Sequence, residues 1–158
     1  MKPASAFLLL LAAASTNAHE PDSAAPHPDH STNYVMKLEQ LEHINAAPGE
    51  SIHLMRGDAH GFDSLSVILT DTQPCGGPPI HTHETEEAHV LYEGCAVYLI
   101  GADRFTVHGP YVARVPAGVP HTFMNCGKEP LRLTAVFPSA HYTFSFVEES
   151  PLCQVKRK

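Results

Sequence analysis

The chain has 158 residues, enough for one ordinary hydrophobic core and too few for a second of comparable size. Its 10 lysines and arginines against 17 acidic residues give a formal charge of -7, which argues against a nucleic-acid partner, because phosphate contacts need surplus cations on one face. The 10 glycines and 14 prolines fall between short apolar runs, a composition that favours strands over long helices and makes all-β the expected class.

At the N-terminus, Met1 and Lys2 precede the apolar stretch Ala6 to Ala14, followed by small residues at Thr16 and Ala18. This is the pattern of a secretory signal peptide spanning residues 1–18, and it implies a secreted or periplasmic protein. The alternative is a buried first helix, but the stretch is too short to cross a membrane and a polar, proline-rich segment follows. No cysteine follows the expected cleavage site, so no lipid or other membrane anchor is expected. Residues 19–33, HEPDSAAPHPDHSTN, present no periodic apolar face to repay the entropy of ordering them and are read as a disordered leader. His19, His27 and His30 in this leader offer loose metal capture, although incidental histidines in a solvated tail are the simpler reading.

From Tyr34 onward, apolar runs alternate with turn signals. The runs are Tyr34 to Leu38, Ser51 to Met55, Leu65 to Thr70, Ala88 to Leu99, Arg104 to Val107, Tyr111 to Val115, Leu131 to Phe137 and Tyr142 to Val147. Pro48-Gly49, Arg56-Gly57-Asp58, Pro74 to Pro79, Gly101-Ala102-Asp103 and Cys126-Gly127-Lys128 punctuate them. Many strands at such intervals imply a sandwich or a closed barrel over residues 34–150, with 151–158 as a tail. Lys156 to Lys158 form a basic run that reads as solvated. Met36 to Ile44 admits a short helix instead, since Leu38, Leu41 and Ile44 recur at helical spacing.

Two segments gather metal-ligand residue types: GGPPIHTHETEEAHVLYEG from Gly76 to Gly94, and PAGVPHTFMN from Pro116 to Asn125. Alternate residues of a strand face the same way, so His81 and His83 can aim two imidazoles at one point, roughly 7 Å apart along the strand. After a turn at Glu84 to Glu86, Glu87 returns a carboxylate to that point, and His121 closes the set from a distant strand. Three imidazoles and one carboxylate suit one divalent transition metal (manganese, iron, cobalt, nickel, copper or zinc) and leave positions open for water or substrate. A single His-x-His in a polar loop arises often by chance, but here glycines and prolines stand at fixed offsets around the ligands.

In those offsets the chain resembles the cupin superfamily, whose first motif has the form G-x5-H-x-H-x3-E-x6-G and whose second has the form G-x5-P-x-G-x2-H-x3-N. His81, His83, Glu87 and Gly94 fit the first, and Pro116, Gly118, His121 and Asn125 fit the second. Four residues separate Gly76 from His81 and six separate Gly109 from Pro116, where the pattern has five, shifts that fall in loops and touch no ligand. The resemblance covers roughly Ser51 to Val147 and implies a jelly-roll β-barrel with one metal held at its mouth by His81, His83, Glu87 and His121. It implies a small-molecule substrate or ligand and leaves room for a homodimer. It does not imply a reaction, because cupins include dioxygenases, decarboxylases, isomerases, lyases and non-catalytic binding proteins. A metal-dependent enzyme acting on a small oxygen-bearing substrate is the leading expectation, and a non-catalytic metal- or ligand-binding cupin is the alternative.

His89 follows Glu87 by two residues and should share its inward face. It is either a catalytic proton carrier, a role open to imidazoles in general, or a partner that orients Glu87 by a hydrogen bond. Phe123 and Asn125 share the face of His121, while Tyr98, Phe137, Phe144 and Phe146 are candidates for an apolar cavity wall. In an oxidising compartment Cys75, Cys95, Cys126 and Cys153 admit three disulfide pairings. If the His81 and His121 strands run antiparallel, residues summing to about 202 face each other, which brings Cys75 near Cys126 although parity weakens that pairing.

Overall fold

The computed structural model describes residues 34–152. The expected signal peptide and leader at 1–33, and the final six residues with Cys153, lie outside the described residues. Eleven strands are described: β1 Glu42–Ala47, β2 Glu50–Met55, β3 Ser66–Thr72, β4 Ile80–Thr82, β5 Glu87–Leu91, β6 Cys95–Ile100, β7 Asp103–His108, β8 Tyr111–Val115, β9 His121–Asn125, β10 Thr134–Phe137 and β11 Ser145–Glu148. A single helical turn, α1 Gly57–His60, stands where turn residues were read.

The strands form two antiparallel sheets in the orders β1-β2-β3-β10-β5-β8 and β11-β4-β9-β6-β7. This is the expected all-β jelly-roll arrangement. Alternation drives it: in β2, Glu50, Ile52 and Leu54 are buried while Ser51 and His53 are half-exposed, and in β5, Glu87, His89 and Leu91 are buried around a more exposed Ala88 and Val90. The inward set from both sheets, including Leu54, Ile68, Leu91, Tyr98, Leu133 and Phe137, makes one apolar core. Each such side chain contributes about 1.5–3 kcal/mol by leaving water.

Three expectations are corrected. Tyr34 to Leu38 forms no strand, and Met36 to Ile44 divides between a 3-10 turn at Leu38–Gln40 and the start of β1. The helical spacing of its leucines is therefore not used; Ile44 faces Ile52 across a hairpin closed at Pro48-Gly49. Ala88 to Leu99 is two strands, β5 and β6, which the turn at Gly94 sends to different sheets. Gly94 has φ of 111°, a conformation that other residues rarely adopt, and its Cα lies against the Leu131 side chain.

Candidate metal centre

Four buried side chains, His81, His83, Glu87 and His121, bring one donor atom each within 4.8 Å of one another. Pairing between strands sets this up. His81 in β4 lies directly opposite His121 in β9, the register that their antiparallel pairing implies. His83 stands just past the end of β4, where its backbone carbonyl accepts a hydrogen bond from Gly118 N at 2.8 Å. Gly118 takes φ of 72° to make that turn, which explains a glycine at this place in the second segment. Glu87 opens β5 in the other sheet, so the imidazoles come from one sheet and the carboxylate from its partner.

The hydrogen bonds of the imidazoles determine which nitrogen is left over. Nδ1 of His81 donates to the Pro79 carbonyl at 2.8 Å, Nδ1 of His121 to the Val119 carbonyl at 2.9 Å, and Nδ1 of His83 to the Thr143 carbonyl. A carbonyl only accepts, so each Nδ1 carries the proton and each neutral ring turns a bare Nε2 lone pair towards the centre. Nε2 of His83, Nε2 of His121 and Oε2 of Glu87 are all buried without a hydrogen-bond donor. His121 Nε2 and Glu87 Oε2 are 2.9 Å apart, two acceptors facing each other. Such a contact is repulsive unless a cation sits between them, and the donor set therefore fits a divalent metal ion.

The other carboxylate oxygen is already engaged. His89 Nε2 donates to Glu87 Oε1 at 2.8 Å, which forces His89 Nδ1 to be an acceptor in the neutral ring. Tyr98 supplies the proton for it at 3.0 Å, and the Tyr98 oxygen in turn receives the Tyr111 hydroxyl at 3.0 Å. The direction of every bond in the series Tyr111, Tyr98, His89, Glu87 follows from the carboxylate at its end. Oε1 is thereby occupied and Oε2 left for an ion.

Electrostatics agree with this arrangement. Burial lowers the pKa of His81 to about 3, reinforced by the neighbouring His121, so that ring stays neutral. Burial likewise lowers His83, against the attraction of Glu87. For Glu87, burial alone would raise the pKa, but the neighbouring His89 leads the influences that outweigh it and hold the carboxyl below its ordinary range.

Beside the ligands lies a cavity of about 50 Å³, lined by polar Glu50, Thr70 and His89 and by apolar Ile52, Phe123, Leu133, Tyr142 and Phe144 among others. On the scale of a water molecule this admits only a few non-hydrogen atoms. Phe144 stacks on His81 at 4.9 Å between ring centroids, and Tyr142 approaches His83 at 5.4 Å. Of the expected wall residues, Phe123 and Phe144 line the cavity, while Phe137 packs edge-on against His83 at 4.8 Å. Tyr98 serves His89. Phe146 is 58% exposed although it pairs with His81, because β11 is the edge strand of its sheet and all four of its residues are exposed. Asn125 does not face a ligand; its amide donates to the Thr72 and Glu129 carbonyls and its oxygen accepts from Gly127 N, bolting the end of β9. Glu50 and Tyr142 were not singled out in the sequence. Glu50 carried a signal, an acidic residue in phase with Ile52 and Leu54 on an otherwise apolar inward face.

Residues 68–137 match the model of the cupin domain family. This chain carries a cupin domain. All five site histidines and acids read from the sequence, His81, His83, Glu87, His89 and His121, fall inside the matched stretch, whereas Glu50 lies before it. No curated protein matches the cupin significantly in sequence. Among solved structures it is similar to Bacillus subtilis oxalate decarboxylase at pH 4.6 (23% identity, TM-score 0.63, covering 70% of this chain and 30% of that one). It is also similar to the formate complex of Lactobacillus farciminis oxalate decarboxylase (20%, 0.63, 69% and 34%). A third is a study of the Mn(II) centres of the Bacillus subtilis enzyme (22%, 0.63, 70% and 31%). The cupin spans about a third of the length of these structures, and the likeness at this identity establishes the shared fold.

The cysteines pair differently from the geometric expectation. Cys95 and Cys126 form a disulfide with 5.2 Å between Cα atoms. The register of β6 on β9 sets Ala96 against Asn125, which brings Cys95 against Cys126 one step further, with Cys126 N donating to Cys95 O at 3.1 Å. Cys75 is held near that end by its own N–H to the Asn125 carbonyl, yet its side chain is exposed. Among the described residues no helix is long and apolar enough to cross a membrane.

Proposed function

We propose that this cupin is a metal-dependent enzyme that acts on a small oxygen-bearing substrate bound at His81, His83, Glu87 and His121. One observation carries the reading: buried lone pairs converge without a proton to satisfy them, and they open onto a small, largely apolar cavity. A bound divalent ion would supply Lewis-acid polarisation of a substrate oxygen, or oxygen activation if it is redox-active. His81, His83 and His121 hold the ion with neutral nitrogens, and Glu87 lowers the net charge of the site through Oε2. His89, fixed between Glu87 and Tyr98, is placed to orient the carboxylate and to carry a proton at Nε2. Phe123, Tyr142 and Phe144 narrow the cavity and limit the water that can enter.

The structural neighbours support a search that begins with small carboxylic acids, since all three are solved forms of enzymes named for oxalate and one is a formate complex. The test has two parts. Elemental analysis of protein from its native compartment should find close to one transition-metal ion per chain. Turnover of a panel of acids of two to four carbons, with and without oxygen, should be saturable and lost in His121→Ala. Stoichiometric, exchangeable metal with no turnover of any such acid would instead assign the chain to non-catalytic binding.

Export belongs to the same proposal, with residues 1–18 removed on the way. The Cys95–Cys126 disulfide supports it, because such bonds persist in oxidising compartments. N-terminal sequencing of the mature chain should begin at or near His19; a mature chain retaining Met1 would refute it.

A further inference from the structure

Four buried side-chain atoms lack a hydrogen-bond partner among the described residues. His83 Nε2, His121 Nε2 and Glu87 Oε2 belong to the ligand cluster, where a cation accounts for them. The fourth, Glu50 Oε2, belongs to a different strand and to no ligand. Glu50 opens β2, is 3% exposed, and lines the same cavity as His81, His83 and Glu87. No lysine, arginine or histidine forms an ion pair with it among the described residues.

A carboxyl placed there works against stability, since desolvation is offset only in part. Burial raises its pKa to about 7, the neighbouring Thr72 hydroxyl opposes the shift, and Asp71 adds to it. Cores that keep such a group in place of a leucine lose stability by it. Of the neighbouring walls, Ile52, Ile68, Leu133 and Ala135 are apolar, and Thr70, whose Oγ1 accepts from Thr72 Oγ1 and Leu133 N, makes no hydrogen bond to the spare oxygen among the described residues. Besides the ligand cluster, the cavity therefore holds a buried carboxyl oxygen that no described residue satisfies. A hydroxyl on a ligand held at the cluster through another oxygen would satisfy it.

We propose that Glu50 is the second recognition group of this cavity, hydrogen-bonding the hydroxyl of a small hydroxy acid whose carboxylate is held at the His81, His83, Glu87 and His121 cluster. The inference rests on the cavity being the substrate site of a metal centre, and it narrows the substrate class. Apolar replacement at Glu50 should relieve the buried carboxyl and abolish discrimination for the hydroxyl, whereas a structural role would make the same replacement destabilising.

The test uses the full chain loaded with zinc, and titration calorimetry with glycolate and propionate. These acids have the same number of non-hydrogen atoms and differ by a hydroxyl in place of a methyl. Any chelation of the ion by the glycolate hydroxyl is common to wild type and variants and cancels in the comparison. In Glu50→Leu the glycolate-to-propionate affinity ratio should fall roughly tenfold, the size expected for one lost hydrogen bond, and Glu50→Gln should keep most of it. Apoprotein Glu50→Leu should melt at or above the wild-type temperature at pH 8; Glu50→Met serves the same purpose if leucine does not fit. An unchanged ratio in a folded, acid-binding Leu or Met variant overturns the proposal, as does a lowered melting temperature in both. Failure of zinc-loaded wild type to bind either acid would overturn the metal-centred reading itself, a result distinct from loss of the Glu50 effect.

Discussion

Glu87 divides its two oxygens between two neighbours: Oε1 accepts the His89 Nε2 proton at 2.8 Å, while Oε2 faces the bare Nε2 of His121 at 2.9 Å. One oxygen is thus satisfied by protein and the other calls for a cation. The division separates the residues that would hold an ion from the residue that orients the carboxylate.

His121→Ala and His83→Ala each remove an Nε2 from the centre and should lose most of the bound metal. His89→Ala leaves all four donors, so metal content should stay near one per chain, with affinity or activity reduced by about 10- to 100-fold at most. Elemental analysis after gel filtration distinguishes them. A His89→Ala protein as empty as His121→Ala would make His89 itself a ligand.

Removing the ion with a chelator should lower the melting temperature, because an ion that binds only the folded state stabilises it, by about 2.7 kcal/mol when present at a hundred times its dissociation constant. The shift should grow with added metal in wild type. It should be absent in His121→Ala.

Tyr98→Phe keeps the ring between Phe105 and Phe123 but removes the proton that His89 Nδ1 accepts. The unsatisfied buried nitrogen should cost about 1–3 kcal/mol in urea denaturation. Tyr111→Phe, at the half-buried end of the series, should cost less. Equal losses would mean that the order of donors is not the one deduced.

Glu50 also predicts a pH dependence of apoprotein stability. Its folded pKa of about 7 lies above the unfolded value of 4.5, so the folded state holds the extra proton between them. Stability from this group is therefore present below pH 4.5 and is lost as pH rises through 7, with a slope of at most about 1.4 kcal/mol per pH unit. The neighbouring Asp71 adds to the effect and Thr72 opposes it. The difference in unfolding free energy between wild type and Glu50→Gln should fall over that window and flatten above it. A difference independent of pH would show that Glu50 titrates normally.

The Cys95–Cys126 disulfide closes a segment of 31 residues, a constraint worth about 3–4 kcal/mol by loss of chain entropy in the unfolded state. Alkylation in denaturant without reductant should leave Cys95 and Cys126 unmodified, and their replacement by alanine together should lower stability by that order. Modification of both would show that the bond does not form.

Much of the candidate metal centre was legible in the sequence, because most of its parts are local and its two segments resemble the cupin motifs. His81 and His83 share a face through strand alternation, Glu87 and His89 share another, and the turn residues Gly94 and Gly118 stand where positive φ is required. The conditional register, antiparallel strands with residues summing to about 202 opposite each other, sets His81 against His121, as the structure has it. What alternation cannot specify is which strand lies beside which, or which inward side chains meet across the space between sheets. Those relationships join segments distant in sequence, and backbone hydrogen bonding between strands sets them. The β6–β9 register chose Cys95 over Cys75 as the partner of Cys126. The packing of the two sheets brought Tyr98 of one and His89 of the other within 3.0 Å, and it placed Glu50 of β2 on the cavity that holds His81, because an inward side chain in a closed sandwich faces whatever the opposite sheet presents.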